Sequence, residues 1–320
     1  AALVPLGEFD LIERFFSRKS KRNDVLLGVG DDAALLAVPA GQTLVAATDT
    51  LVEGRHFLPG APPESIGHQV LAVNLSDLAA MGAEPAWALL SLALPNSNED
   101  WIGRFAQGLL ALADRFGVDL VGGDTVRGPL VVTIQLLGLV PEGKALRRST
   151  ARPGDGLFVS GWPGESAAGL EVLKAGTAAV GDPLASRFLY PEPRIDLGRQ
   201  LRSCATAAMD VSDGLLGDVA KLCAASSVAA SIELDLLPRS VRLQERFSPV
   251  EVERMVLHGG DDYELLFALP PGPADDEIIG QVAETCRVTR IGSIIPGQGV
   301  HLSRNGLPVQ ASGEGYDHFA

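Results

Sequence analysis

Six short segments of this chain share one pattern, in which an apolar run ends in one or two aspartates, often beside glycine. They lie at residues 30–33, 48–50, 74–77, 122–125, 209–214 and 259–264. An aspartate at the end of a buried strand has its direction fixed by the sheet. Carboxylates gathered from several strand ends are the hard oxygen ligands that Mg²⁺ prefers. The pattern therefore predicts a strand-rich fold in which strand ends meet at a site for metal-bound phosphates.

Apolar periodicity predicts alternating strands and helices along the whole chain. The first half has predicted strands at 25–29, 44–48, 86–94, 118–121 and 130–140, and helices at 63–81 and 98–116. The second half has predicted strands at 157–160, 207–211, 229–234 and 265–269, and helices at 166–175, 215–225, 249–257 and 274–285, with a further helix starting near Ile195. Because 320 residues exceed the usual single core, and the sequence turns polar after Pro141, we expect two domains, 1–145 and 146–320. The expected fold class is α/β (α+β).

The charge balance limits the partners of this chain. A net charge of −14 argues against nucleic acid and anionic membranes, which are held mainly by Lys and Arg. The longest apolar stretches are about half the ~20 residues that a membrane-spanning helix requires, and early acidic residues do not suit a secretory signal. The three cysteines are widely spaced and suggest neither disulfides nor zinc. We therefore expect a cytoplasmic protein in which metal ions offset the charge of a bound triphosphate.

The segment 210–214, Asp-Val-Ser-Asp-Gly, is the most informative of the six, because it places two carboxylates and a hydroxyl on one short loop. The structural alternative is a capped helix start with Asp213 as the cap, although capping needs only one such residue. Asp77 differs in lying on an otherwise apolar helix, where a solvated face is hard to reconcile with its neighbours. Any one of the six segments alone is better explained as an ordinary turn or N-cap. Six together favour a site.

Two familiar nucleotide-binding motifs are rejected. Residues 28–30 lack the third glycine of a dinucleotide-binding turn and are followed by two aspartates. Residues 138–144 have the spacing of a P-loop, but Ala145 replaces the metal-binding Ser or Thr, and Pro141 removes an N–H that would hold phosphate. The chain contains no G-x-S-x-G sequence, which is the motif of many serine hydrolases. The predicted triphosphate site therefore depends on the aspartate segments.

Taken in order, nine motifs resemble those of the thiamine-monophosphate kinase family. They are GEFDLI, GDDAA, ATDTLVEGRHF, AVNLSDLAAMGAEP, GGDTVRGP, RRSTARPGD, MDVSDGL, HGGDDYEL and GYDHF. The wider superfamily includes aminoimidazole ribonucleotide synthetase, selenophosphate synthetase and a hydrogenase-maturation dehydratase. The resemblance implies two α/β domains, with the N-terminal domains of a homodimer sharing a β-barrel, and an active-site cleft lined by both domains.

The resemblance also implies direct transfer of the γ-phosphoryl group of ATP to thiamine monophosphate. No side chain is expected to act as a covalent nucleophile, so catalysis would consist of positioning and charge neutralisation. Several Mg²⁺ ions would be held by Asp32, Thr48, Asp49, Asp77, Asp124, Asp210 and Asp213. ATP would contact Asp77, Gly123, Asp124, Arg148 and Ser212. The thiamine side would be lined by His56, Asp261 and Tyr316.

The chain departs from similar sequences at two positions of interest. Ala47 stands where similar sequences often have Ser, so a metal contact there would have to use the backbone carbonyl. Asp261 stands where Glu is more usual and is one methylene shorter. Two alternative functions stay open: another ATP-consuming enzyme of the superfamily, a cyclase or dehydratase, and a catalytically silent nucleotide-binding protein.

Overall fold

The computed structural model describes residues 7–272, 280 and 286–309, and the chain divides into two compact units. One unit comprises the chain up to Leu78 together with Ala83–Gly143. The other comprises Ala79–Gly82 and the chain from Lys144 onward. Within the described part of the chain, no helix has the length and apolar character needed to cross a membrane.

Up to Gly143 the chain forms two helices of ordinary length and a four-stranded sheet. The elements are α1 (Glu8–Leu11), a π-helical turn (Ile12–Phe16), β1 (Val25–Leu27), β2 (Leu35–Leu36), β3 (Gln42–Val52), α2 (Pro63–Ala80), β4 (Glu84–Leu94), α3 (Glu99–Phe116), β5 (Asp119–Arg127) and β6 (Val131–Pro141). β1 and β2 form a short antiparallel ribbon, and the sheet has the order β3-β6-β4-β5. Only the β4–β5 pair of this sheet is parallel. β3 and β5 are therefore its two edges.

Helices α2 and α3 pack with their backbones in close contact, because glycine occupies the crossing on both. A Cβ atom on Gly67 would lie 2.1 Å from the carbonyl oxygen of Phe105, and one on Gly108 would lie 1.9 Å from that of Glu64. α3 begins at Asn98, whose side chain accepts from the Trp101 N–H. This packing fixes α2, the helix that carries Asp77.

Among its described residues, the chain from Lys144 onward forms a seven-stranded sheet and six helices. The elements are β7 (Gly156–Ser160), α4 (Glu165–Lys174), α5 (Pro183–Leu189), α6 (Ile195–Leu201), β8 (Ala207–Val211), α7 (Leu215–Ser226), β9 (Ala229–Glu233), a 3₁₀ turn (Leu234–Leu236), α8 (Val241–Arg246), α9 (Pro249–His258), β10 (Glu264–Leu269), β11 (Val288–Ile295), β12 (Gly299–Arg304) and β13 (Leu307–Val309). The sheet order is β13-β12-β9-β11-β7-β10-β8, and β9–β12 is its one parallel pair among the described strands. Every residue of β7, β8 and β10 is buried. The aspartate segments of this unit lie at the ends of β8 and β10.

The α/β fold expected from the sequence is confirmed, and the predicted elements that can be compared are present within a few residues of their expected ends, several strands being longer. Strands β11–β13 and helices α5 and α8 were not predicted, because glycines at 292, 297, 299 and 306 interrupt the strand pattern and the two helices are short. The helix predicted over 274–285 lies outside the described residues, Gly280 excepted. The shared β-barrel and the exact domain limits stay predictions.

Candidate active site

Two aspartates from different elements meet in the first unit. Asp49 lies in β3 and Asp77 in α2, and their carboxyl groups are in hydrogen-bonding contact. Burial raises the pKa of Asp49, although the contact with Asp77 and the charge of His56 both act to lower it. Two carboxyl groups lie this close only when a proton or a cation offsets their repulsion. The pair is therefore a place where a cation would stabilise the fold.

His56 lies near this pair, in the loop that follows β3. Its Nδ1 atom accepts a hydrogen bond from the Val52 backbone N–H at 3.0 Å. In the neutral imidazole the proton then resides on Nε2. Thr48, the neighbour of Asp49, donates its hydroxyl to the carbonyl oxygen of Ile134 at 3.1 Å. Three of the residues predicted for the site are thus brought together beside β3: Asp49, His56 and Asp77. Thr48 is exposed and lies on the opposite face of the strand from the half-buried Asp49.

A buried amide oxygen one helical turn from Asp77 adds to the hard donors in this region. Asn74 is fully buried, and its Nδ2 donates to the Val70 carbonyl at 2.9 Å. Its Oδ1 has no hydrogen-bond partner among the described residues. Carboxylate and amide oxygens are the donors that Mg²⁺ takes in proteins. The residues present therefore fit a divalent cation.

The segment 122–125 lies on the opposite edge strand. A Cβ atom on Gly123, whose φ is +150°, would lie 1.9 Å from the Leu90 carbonyl oxygen, so this position requires glycine. Asp124 follows it and is exposed. Register places Asp49 of β3 and Gly123 of β5 in one row across β6 and β4, three strand spacings or about 14 Å apart. Asp124 is thus well separated from Asp49 within this sheet.

The seven predicted metal ligands are not gathered into one cluster. Asp32 is exposed in the turn after β1, where its N–H donates to the Asp31 carboxylate at 2.8 Å. Across residues 7–272, 280 and 286–309, no three His, Cys, Asp or Glu side chains are arranged to hold a metal ion. Asp210 and Asp213 belong to the second unit. The complete ligand set therefore stays a prediction.

The loop 210–214 is held by a residue that sequence reasoning missed. Asp218 in α7 is fully buried, and its Oδ2 accepts the N–H groups of Ser212 and Asp213, both at 3.0 Å. The N-cap of α7 is Gly214, with φ 110° and no side-chain cap. The alternative in which Asp213 serves as the helix cap is therefore wrong.

Lys221 gives the loop a fixed positive charge. Its ammonium group forms ion pairs with Asp213 and, at 2.8 Å, with the buried Asp218. Asp210 lies at the end of β8 and is only 7% exposed, whereas Ser212 is half-buried. The i, i+3 spacing of Asp218 and Lys221 on a helix was the available sequence signal. From the sequence alone this spacing predicts an ordinary surface ion pair, because the bonds between Asp218 and the loop's backbone N–H groups are visible only in the structure.

The segment 259–264 is bonded directly to this loop. The Asp261 N–H donates to the Ser212 carbonyl and the Tyr263 N–H donates to the Val211 carbonyl, both at 2.8 Å. A Cβ atom on Gly260 would lie 2.8 Å from the same Ser212 oxygen, so a side chain there would push the two segments apart. The second unit therefore places a predicted acceptor residue, Asp261, beside a predicted phosphate residue, Ser212.

The environment of Asp261 changes its acidity. Burial raises the pKa of Asp261 to about 6, helped by the negative charge of Asp213, while a hydrogen bond from the Tyr263 hydroxyl at 3.0 Å opposes the rise. The carboxyl group is therefore mostly ionised near neutral pH. It can accept hydrogen bonds from a substrate and attract a cationic ring.

Asp262 anchors the segment to a helix start. Its carboxylate accepts the N–H groups of Gly164 at 2.7 Å and Ser166 at 3.3 Å, at the N-terminus of α4. Complete burial nevertheless raises the pKa of Asp262 to about 8, because the backbone donors and the nearby Arg187 only partly offset desolvation. Asp262 faces inward, so of the paired aspartates only Asp261 is placed for a ligand.

Glu264 lies at the centre of a buried ion cluster. Arg187 contacts it at 2.5 Å, Arg194 at 2.6 Å, and the Ser160 hydroxyl donates to it at 2.5 Å. Burial acts to raise the pKa of Glu264, but the two guanidinium groups outweigh it and hold the pKa below its usual value. Arg187 also donates to the Asp262 carbonyl at 2.6 Å. Sequence patterns do not reveal this cluster, because Glu264 is at least 70 positions from each of its partners and meets them only in the fold.

The remaining predicted positions have different outcomes. Arg148 is exposed, and its carbonyl accepts from the Ser226 hydroxyl at 2.7 Å. Rejection of the P-loop is confirmed, because Gly138 and Pro141 lie inside β6 rather than in a loop. Tyr316 lies outside the described residues.

Comparisons with known proteins agree with these features. The pattern of the AIR synthase related protein, N-terminal domain, matches residues 30–140, and that of the C-terminal domain matches residues 152–305. The thiamine-monophosphate kinase of Salmonella typhimurium is 46% identical over 323 aligned residues, covering 98% of each chain. A crystal structure of thiamine-monophosphate kinase from Stenotrophomonas maltophilia is 45% identical with a TM-score of 0.87, covering 96% of this chain and 99% of that one. AaThiL complexed with AMPPCP and TMP is 33% identical with a TM-score of 0.76, covering 88% and 89%.

Both halves of the chain match the paired domain patterns, and the similarity to the kinases extends over nearly the whole sequence. The range matched by the C-terminal domain pattern contains the two loops joined at Ser212 and Asp261. The chain therefore belongs to the thiamine-monophosphate kinase family, within the AIR synthase related proteins.

Proposed function

We propose that this chain transfers the γ-phosphoryl group of ATP to thiamine monophosphate, giving thiamine diphosphate and ADP. The observation that carries the proposal is the direct bonding of loop 210–214 to segment 259–264 through Asp261 and Ser212. A phosphoryl donor on the first segment and an acceptor on the second would have their reacting atoms side by side. A relative of the same family carries AMPPCP and TMP in one complex, as this arrangement requires.

The part of the proposed site that would bind ATP, the phosphoryl donor, consists of hard oxygen groups and few cationic ones. We assign Mg²⁺ binding to Asp32, Thr48, Asp49, Asp77, Asp124, Asp210 and Asp213, and ATP contacts to Asp77, Gly123, Asp124, Arg148 and Ser212. Bound Mg²⁺ would supply positive charge to the phosphate oxygens. The buried Asp218 fixes the loop backbone, so that Ser212 and Asp213 keep their positions as the nucleotide arrives. Catalysis then depends on positioning and neutralisation rather than on a covalent intermediate.

The acceptor side is assigned to His56, Asp261 and Tyr316. Thiamine carries a cationic thiazolium ring and an aminopyrimidine edge, which call for a carboxylate acceptor and an aromatic face. Asp261 is one methylene shorter than the usual Glu. Because its backbone is bonded to Ser212, its side chain begins close to the phosphate loop, and this offsets the shorter reach.

We also propose a homodimer formed through the first unit. Its described surface carries several exposed apolar residues on the β1–β2 ribbon and the two edge strands, namely Leu26, Leu35, Leu44 and Val126, each between 45% and 68% exposed. β3 is an edge strand of eleven residues in the sheet that the described residues form. Long, apolar edge strands are ready templates for pairing with another chain. A second copy would cover both the edge and the apolar residues.

Leu44→Lys is expected to shift the protein from dimer to monomer, because it places a charge among these apolar residues. Light scattering coupled to gel filtration measures the mass. Val250→Lys is the matched control, since Val250 is 80% exposed on α9 of the other unit and should leave the dimer intact. Wild-type protein that is already monomeric at micromolar concentration would contradict the proposal.

A cytoplasmic location is consistent with both the substrates and the cysteines, none of which is disulfide-bonded. The function itself is tested by measuring ADP release with ATP and Mg²⁺ and three acceptor conditions: thiamine monophosphate, thiamine, or none. We expect ADP release to require thiamine monophosphate. Equal release under all three conditions would favour an ATP-consuming enzyme of another kind, and no release would favour a silent nucleotide-binding protein.

A further inference from the structure

The segment 261–263 has an unusual backbone. Asp261 has φ +62° and Tyr263 has φ +52°, so two residues with full side chains adopt the left-handed conformation within three positions. This conformation is uncommon for any residue except glycine, and for a bulky aromatic residue it is an outlier. Such backbone persists only where the surroundings enforce it, and it concentrates at ligand-binding sites.

Independent contacts enforce this backbone at each of the three residues. The N–H groups of Asp261 and Tyr263 donate to the carbonyls of Ser212 and Val211. Between them, the carboxylate of Asp262 accepts two N–H groups at the start of α4. The segment is therefore fixed on both sides, to the phosphate loop and to a helix.

The consequence of this geometry is a contact between two side chains of the segment. Tyr263 is buried, with 9% of the residue exposed, and its hydroxyl donates to Oδ1 of Asp261 at 3.0 Å. A buried ring held by its own strained backbone cannot easily move away from this contact. The hydroxyl therefore restricts the Asp261 carboxylate to one orientation.

We propose that Tyr263 is a positioning residue for the acceptor: its hydroxyl holds Oδ1 of Asp261, so that Oδ2 is presented to the aminopyrimidine edge of thiamine monophosphate. This inference rests on the proposed role of Asp261. It assigns Tyr263 to acceptor affinity and not to ATP binding. A carboxylate fixed before the substrate arrives loses less conformational entropy on binding than a mobile one does.

The test is a double-mutant cycle with Asp261→Asn, Tyr263→Phe and the double variant. For each, KM is measured separately for thiamine monophosphate and for ATP, and thermal unfolding reports stability. We expect Tyr263→Phe to raise the KM for thiamine monophosphate about fivefold, in line with the loss of one hydrogen bond, and to leave the KM for ATP unchanged. In the Asp261→Asn background, Tyr263→Phe should add little, because the carboxylate that it orients is gone.

Three results would overturn the inference. Tyr263→Phe could leave the KM for thiamine monophosphate unchanged while Asp261→Asn raises it, which would separate the tyrosine from a site that is otherwise correct. Tyr263→Phe could raise both KM values together with a loss of stability, which would indicate a purely structural role. If Asp261→Asn itself has no effect on the acceptor, the proposed substrate site fails and the inference fails with it.

Discussion

An Asp210→Asn variant is expected to fold normally and to lose turnover by about 10³-fold, since removing one electrostatic group from a preorganised site costs about 10²–10³ in kcat. Asp210 lies at the end of β8, 7% exposed, at the entrance to the loop that carries Ser212 and Asp213. Its backbone remains paired with Leu265 of β10 in the variant. The proposed role of the side chain is charge and metal binding rather than packing.

Steady-state kinetics with thiamine monophosphate and ATP measure this loss, and circular dichroism confirms the fold. Asp196→Asn is the control, because the side chain of Asp196 is 73% exposed on α6, where it lies 3.8 Å from Arg199. The control should keep full activity. A folded Asp210→Asn enzyme with a near-normal rate would show that the loop 210–214 is not part of the catalytic site.

Glu264→Gln is expected to destabilise the protein by roughly 3–5 kcal/mol, the usual cost of removing one partner from a buried ion pair. Glu264 is fully buried between Arg187 and Arg194, and the substitution leaves both guanidinium groups without their counter-charge. Glu64→Gln is the control, since its pair with Arg104 has side chains 33% and 47% exposed. Exposed pairs contribute roughly 0.2–1 kcal/mol. Urea unfolding of the three proteins measures the difference, and equal losses for both variants would contradict the account.

The effect of Glu264 on stability should depend on pH in a defined direction. Its folded-state pKa is held below the usual value of about 4.3, so the stabilisation is fully present above that value and is lost as pH falls through the folded-state pKa. The difference in the free energy of unfolding between wild type and Glu264→Gln should therefore stay constant from neutral pH down to about 5. It should narrow below about 4. A gap that is unchanged at pH 3 would indicate that the charge of Glu264 is not the source.

The sequence was sufficient for most of the fold because most strands and helices have strong apolar patterns. β7, β8 and β10 are short, mostly apolar runs, and each is fully buried. The strand order could not be predicted, because antiparallel pairing of β10 with both β7 and β8 joins segments about 50–110 positions apart in the chain. Only tertiary packing decides it.

The candidate site was predicted in part for a similar reason. Aspartates in apolar surroundings, such as Asp77 and Asp210, attract notice in a sequence because burial of a charge is costly. Asp218 and Tyr263 do not, since a helical aspartate near a lysine and a tyrosine before a strand are both common. Their roles depend on the loop backbone and on left-handed φ angles that a pattern of residue types does not reveal.

Transfer of the γ-phosphoryl group to thiamine monophosphate is tested most directly with labelled ATP. Purified protein is incubated with Mg²⁺, thiamine monophosphate and ATP carrying ³²P in the γ position, and the thiamine phosphates are separated. We expect the label to appear in thiamine diphosphate in amounts equal to the ADP formed. Label released only as inorganic phosphate, with no labelled thiamine diphosphate, would contradict it.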